Sequence, residues 1–150
     1  NVAGIRSPGL TSAPAIADYA AELLAADGLD LTEKDSYIDS REKVHFNRLS
    51  AAERKALIEK NPAYGRVICR CETVTEGEIL DAIHSPIPPV SVDGIKRRTG
   101  AGMGRCQGGF CGPRVVDLLA RELGVSPLTI LQDRDGSEIL TAYTKGEVRA

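Results

Sequence analysis

Residues 69–111 read CRCETVTEGEILDAIHSPIPPVSVDGIKRRTGAGMGRCQGGFC and contain all four cysteines of the chain. Cys69 and Cys71 form a C-x-C pair and Cys106 and Cys111 a C-x4-C pair, with 34 residues between the pairs. Two cysteines one residue apart share a loop. Two cysteines four apart converge if the chain between them turns tightly, which Gln107-Gly-Gly-Phe110 permits. Residues 99–112 carry six glycines, so the backbone there can approach a ligand closely. The thiolate is the metal-binding form of cysteine, and four converging thiolates suit zinc or an iron-sulfur cluster. Many structural zinc sites use two C-x2-C knuckles, so this spacing shifts the balance towards iron-sulfur.

The charges around the cysteines agree with an anionic centre. Arg66, Arg70, Lys96, Arg97, Arg98, Arg105 and Arg114 all fall between residues 66 and 114. A helix starting at Gly112 or Pro113 would set its positive end beside Cys111 and lower the pKa of that thiol. The competing reading of the arginines is a solvated basic surface. Other chemistry is thin. His45 and His84 are isolated, Gly100-Ala-Gly-Met-Gly104 lacks the Gly-Lys-Ser/Thr ending of a phosphate loop, and no Ser-His-Asp or Cys-His set is present.

Outside this stretch the pattern is helical. Ser12 and Pro14 are expected to open a helix carrying Ile16, Tyr19, Ala20, Leu23 and Leu24 on one face and ending at Gly28. Residues 29–49 are charged and aperiodic and read as a linker. Ser50-x-x-Glu53 and Thr75-x-x-Glu78 have the form of capping boxes, opening helices over 51–60 and about 76–84. The first is expected to pack through Leu49, Ala56 and Leu57. Further helices are expected at 92–98 and 113–123, the latter with Val115, Val116, Leu118, Leu119 and Leu123 as its buried stripe and Gly124 as its stop. A helical turn at 127–131 precedes a polar tail whose apolar stretch, 138–143, adds a strand or lies across the core.

Composition bounds the class. With 150 residues, 42% hydrophobic content, 27% charged and a formal charge of -2, the chain reads as a soluble globular protein with no nucleic-acid partner. No run reaches the ~18 apolar residues of a membrane helix, and no signal peptide is visible. The expected setting is cytoplasmic and reducing, where clustered cysteines serve as metal ligands rather than disulfides. Residue 1 is Asn, so the chain reads as a piece of a longer polypeptide.

Val67-Ile-Cys-Arg-Cys-Glu72, Thr73-Val-Thr-Glu-Gly-Glu-Ile79 and Lys96-Arg-Arg-Thr-Gly-Ala-Gly-Met-Gly-Arg-Cys-Gln-Gly-Gly-Phe-Cys111 resemble the bacterioferritin-associated-ferredoxin-like (BFD-like) 2Fe-2S domain. The resemblance covers about residues 62–125. It is nearest the version appended to FAD-dependent oxidoreductases of the glycerol-3-phosphate dehydrogenase type. Gly4 to Ile16 is similar to the last loop and helix of the flavin domain in that group, where such a loop approaches FAD. The resemblance implies a mainly α fold, with a small domain in a helix-turn-helix arrangement over residues 50–150. That domain follows the linker and the terminal helix of a flavin domain, residues 1–28. It also implies that Cys69, Cys71, Cys106 and Cys111 are the ligands of a 2Fe-2S cluster, a centre readily lost or replaced by zinc or disulfides.

The function expected from this resemblance is an electron-transfer or redox-sensing module. Its partners would be its own flavin domain, with FAD in the missing parent, and an unidentified electron acceptor. Catalysis would lie in the parent rather than in this fragment. The alternatives are a zinc-binding structural or interaction module and an independent ferredoxin-like carrier or metal-delivery domain.

Overall fold

The computed structural model describes residues 1–37, 40 and 43–145; parts of the expected linker and the last five residues of the expected C-terminal domain lie outside them. The chain divides into two compact units, Asn1–Arg41 and Glu42–Ala150. The first contains one helix, α1 (Gly9–Ala26). It starts earlier than its sequence suggests. Ser12 does not cap it: the Ser12 N–H already donates to the Pro8 carbonyl (3.1 Å), and the Gly9 N–H to that of Arg6. Pro14 therefore sits inside the helix, where its missing N–H leaves the Leu10 carbonyl without its helical donor, on a residue that is 93% exposed. The helix ends as expected at Gly28. With φ +91°, Gly28 donates to Ala25 and Leu29 donates to Leu24, the paired bonds of a Schellman stop. No residue of α1 is buried.

The second unit holds α2 (Ala51–Lys60), β1 (Val67–Cys69), β2 (Val74–Thr75), α3 (Glu76–Ile83), α4 (Val92–Thr99) and α5 (Gly112–Leu123), with 3₁₀ turns at Phe46–Arg48, Pro62–Gly65 and Pro127–Thr129. The architecture is mainly helical, as expected. Both capping boxes form. Ser50 accepts from the Glu53 N–H while Glu53 accepts from the Ser50 N–H, and Thr75 and Glu78 do the same at the start of α3. Glu78 has a second task, its other carboxylate oxygen accepting from the Phe46 N–H (3.1 Å). Buried Phe46 is further held by Arg54, whose guanidinium lies 5.2 Å from the ring centroid and donates to the Phe46 carbonyl.

The core lies between α3, α4 and α5. Ile79, Ile95, Leu119, Val115 and Ile130 are almost fully buried, and Ile83, Val116 and Leu118 close around them. Burying each such side chain stabilises by about 1.5–3 kcal/mol before entropy is counted. The α5 stripe is the one expected, joined by Ala120 and with Leu123 at its margin. Helix α2 departs from expectation. Ala56 is exposed and Leu57 and Leu49 are half-buried, because α2 meets the preceding and following turns rather than the core and packs through Ile58 on Gly65.

Two features position the cysteine segments. β1 and β2 pair antiparallel, Val67 with Thr75 and Cys69 with Val74, so Cys69 ends a strand and Cys71 lies in the turn, where Thr73 adopts φ +55°. Residue 76, immediately after the hairpin, anchors it to the helices. Glu76 is buried and accepts from Arg66 on one side and Arg121 of α5 on the other. The chain after α5 returns to cap α4: the Val92 and Asp93 N–H groups donate to the Leu131 and Gln132 carbonyls. The 138–143 stretch makes one isolated bridge, Glu138 to Leu131, and then lays Ile139 and Leu140 beside Val115 and Val116 at the edge of the core.

Candidate metal centre

The four cysteines, 35 or more residues apart between pairs, come together in one cavity of about 310 Å³. Its walls are Ile68, Cys69, Arg70 and Cys71 from the hairpin and Arg105, Cys106, Phe110, Cys111 and Arg114 from the glycine loop and the start of α5. All four are free thiols. They are not equivalent. Cys69 and Cys111 are 1% and 2% exposed, whereas Cys71 is exposed and Cys106 half-exposed.

One thiol of the hairpin meets one of the glycine loop: Cys71 Sγ lies 3.5 Å from Cys106 Sγ. Cys69 and Cys111 are the two buried thiols of the same cavity. Among the described residues, no three Cys, His, Asp or Glu side chains converge as the ligands of a single ion would. A two-iron centre takes two thiolates on each iron, and the cavity supplies four from the two segments.

Close packing makes the pairing possible. A Cβ built on Gly104 would stand 2.2 Å from Cys71 Cβ and 2.9 Å from Glu72 Oε1, so only glycine lets the loop lie against the hairpin there. The glycines flagged by the sequence thus divide by task. Gly100, Gly102 and Gly108 have positive φ and turn the chain, while Gly104 supplies the close approach. Gln107, itself at φ +48°, ties the turn by donating to the Met103 and Gly104 carbonyls.

The electrostatics are set by burial and by backbone donors. The N–H groups of Phe110, Gly108 and Gly109 approach Cys106, and together with Cys71 they hold its thiol below the ordinary cysteine pKa. Cys111 goes the other way. Although it caps the N-terminus of α5, burial pushes its thiol up, reinforced by Cys69. The expected lowering by the helix end is overturned, because removing a thiolate from water outweighs half a dipole charge.

The basic stretch also divides. Arg70, Arg105 and Arg114 line the cavity, and none has a carboxylate partner among the described residues. Arg66 is committed to Glu76, Arg97 to Asp93 and Asp133, and Arg98 to the Ile87 carbonyl. Lys96 faces a different cavity, of about 430 Å³, between α4, α5 and the tail. His84 is taken up by Glu122 at 2.8 Å, in keeping with a helix-end role. The sequence pattern does not single out Phe110. It is 82% exposed at the cavity mouth, and an aromatic residue in C-x4-C is the only signal that marks it.

Comparison with known proteins follows the same boundaries. Residues 67–121 match the BFD-like 2Fe-2S binding domain. Over 150 aligned positions the chain is 50% identical to part of a glycerol 3-phosphate dehydrogenase of Caloramator mitchellensis. The alignment takes in 99% of this chain and 31% of that protein. Over 95 residues it is 38% identical to the HcnB component of the hydrogen cyanide synthase of Pseudomonas aeruginosa, covering 56% of this chain and 20% of that one. Over 66 residues it is 36% identical to a component of the anaerobic glycerol-3-phosphate dehydrogenase of Escherichia coli, covering 44% and 12%. The chain therefore spans less than a third of the length of these relatives. No solved structure matches.

Proposed function

We propose, from the match of residues 67–121 to the BFD-like 2Fe-2S binding domain, that Cys69, Cys71, Cys106 and Cys111 ligate a 2Fe-2S cluster serving a flavoenzyme. The observation that carries this reading is the meeting of the four thiols in one arginine-lined cavity, with Cys71 and Cys106 in contact across the two segments. When bound, the cluster would supply one-electron chemistry. The protein's own contribution is to hold the thiols, to bring the Phe110, Gly108 and Gly109 N–H groups to Cys106, and to offset negative charge with Arg70, Arg105 and Arg114. Buried Cys69 and Cys111 keep water from the inner side.

In this reading the module passes single electrons between FAD in the rest of the polypeptide and an acceptor. The similarity to the Caloramator protein runs through residues 1–28 as well as the cysteine domain, which supports a unit appended to a dehydrogenase rather than an independent carrier. The proteins that share the domain differ in their named reactions, which supports assigning electron transfer to this part and the choice of substrate to the remainder. Oxidation of glycerol 3-phosphate is the parent activity that the similarity favours.

Anaerobic reconstitution followed by metal and sulfide analysis and by EPR tests the cofactor. Two irons, two sulfides and a signal on reduction are expected; one zinc and no sulfide would overturn the reading in favour of a structural zinc module.

A further inference from the structure

The two thiol pairs differ in a way that assigns them different work. Cys69 and Cys111 are closed off by the core, 1% and 2% exposed, and Cys111 adjoins Val115 and Val116 of the buried stripe through the start of α5. Cys71 and Cys106 reach the surface, while Arg70, Arg105 and Arg114 line the cavity that all four thiols share. Backbone N–H groups of the glycine loop approach Cys106. A sulfur separation of 3.5 Å between Cys71 and Cys106 is near the edge of a tetrahedron about one iron with Fe–S bonds of roughly 2.3 Å, the length typical of a metal–thiolate bond.

From this geometry, and resting on the cluster reading above, we infer that Cys71 and Cys106 hold one iron and Cys69 and Cys111 the other, and that the Cys71–Cys106 iron is the one reduced and the point where the electron enters and leaves. On reduction a single electron converts that iron from ferric to ferrous; no proton moves and no bond forms or breaks. The added negative charge settles where it is best solvated. Near Cys69 and Cys111 it would sit in an apolar surround and raise the energy of the reduced state. Near Cys71 and Cys106 it meets water and the backbone N–H groups of the glycine loop, which favour the more negative state. The exposed side is also the shorter path to any partner outside, and Phe110 at the mouth lies beside that pair.

The test uses the full chain, reconstituted without oxygen and shown by analysis to carry two irons and two sulfides, then reduced with dithionite. In an antiferromagnetically coupled ferric–ferrous pair, β-protons of cysteines on the ferrous iron show small hyperfine shifts that grow on warming. Those on the ferric iron show large shifts that shrink. The Cys71 β-protons are identifiable by their nuclear Overhauser contact with the Gly104 Hα protons, because the two residues pack without a gap. We expect the ferrous pattern on Cys71 and Cys106 and the ferric pattern on Cys69 and Cys111. In a parallel measurement, Arg70→Gln and Arg105→Gln should each lower the midpoint potential, and Arg134→Gln, away from the cavity, should leave it unchanged.

The ferrous pattern on Cys69 and Cys111, or on two cysteines of the same segment, overturns the inference while leaving the cluster reading intact. Failure to load iron and sulfide at the outset overturns the cluster reading itself.

Discussion

The Gly104→Ala substitution probes the contact on which the site depends. The new Cβ would fall 2.2 Å from Cys71 Cβ and 2.9 Å from Glu72 Oε1, with Cys71 Sγ at 3.3 Å. Carbon atoms rest at about 3.5–4.0 Å, so the loop and the hairpin must separate by roughly 1.5 Å at this point. Neither side can give cheaply. The atom in the way is a Cβ fixed to backbone, Gly104 is buried, and the next residues of the loop are tied by Gln107 to the Met103 and Gly104 carbonyls. Overpacking of this kind typically costs about 1–3 kcal/mol. For a domain of this size that corresponds to a drop in melting temperature of several degrees at the lower end.

The larger effect is on the site. Metal–ligand distances tolerate about 0.2 Å, so moving Cys71 by even half of the required ~1.5 Å takes it out of bonding range. Gly104→Ala should therefore fold, by far-ultraviolet circular dichroism, yet retain less than about a tenth of the wild-type iron and sulfide after reconstitution and desalting. Gly112→Ala is the control, since a Cβ there meets nothing within 4 Å and Gly112 is the first residue of α5. Wild-type loading by Gly104→Ala would refute the argument that close approach at this glycine sets the Cys71 position.

Other outcomes follow from the same structure. Cys106→Ser should abolish cluster retention and loosen the glycine loop, since binding energy in so small a site is largely folding energy; retained iron and sulfide would show the ligand assignment to be wrong. Glu76→Gln should cost on the order of 1–3 kcal/mol in urea unfolding, because a buried carboxylate accepting from Arg66 and Arg121 is exchanged for a neutral group. The pair of arginines holds the Glu76 carboxyl below its ordinary value of 4.5, so its stabilisation is full above that pH and fades as pH falls through the lower folded value. The variant should accordingly lose less stability than wild type on acidification below pH 4.5, and parallel curves would contradict this. Thr75→Ala should destabilise by about 1–2 kcal/mol, more than Ser50→Ala, because Thr75 is fully buried and its capping partner Glu78 also holds Phe46. Equal urea midpoints for the two variants would argue against that coupling.

The cysteine content of the site and most helix boundaries are legible in the sequence because they are local matters. A capping box needs only a side chain and a backbone N–H three residues apart, as at Ser50 and Thr75. The α5 stripe is a 3.6-residue period, and Gly124 is a stop that works through its own φ of +66°. Local rules fail at α1, where Ser12 reads as the cap but its N–H already donates to the Pro8 carbonyl inside a helix that starts at Gly9.

How residues far apart in the chain meet is a matter of packing. Reading the residues in order is enough to establish that four thiols, a basic stretch and a glycine loop stand close together in the chain, the thiols all within residues 69–111. It is not enough to establish that Cys71 meets Cys106 while Cys69 and Cys111 are buried, because that depends on the hairpin lying against the loop at Gly104. Nor does it divide the basic residues into Arg70, Arg105 and Arg114 at the cavity and the others engaged elsewhere. The sign of the shift at Cys111 is of the same kind. A helix end is visible in the residue pattern and favours the thiolate, but burial opposes it, and burial exists only once α5 has packed on the core.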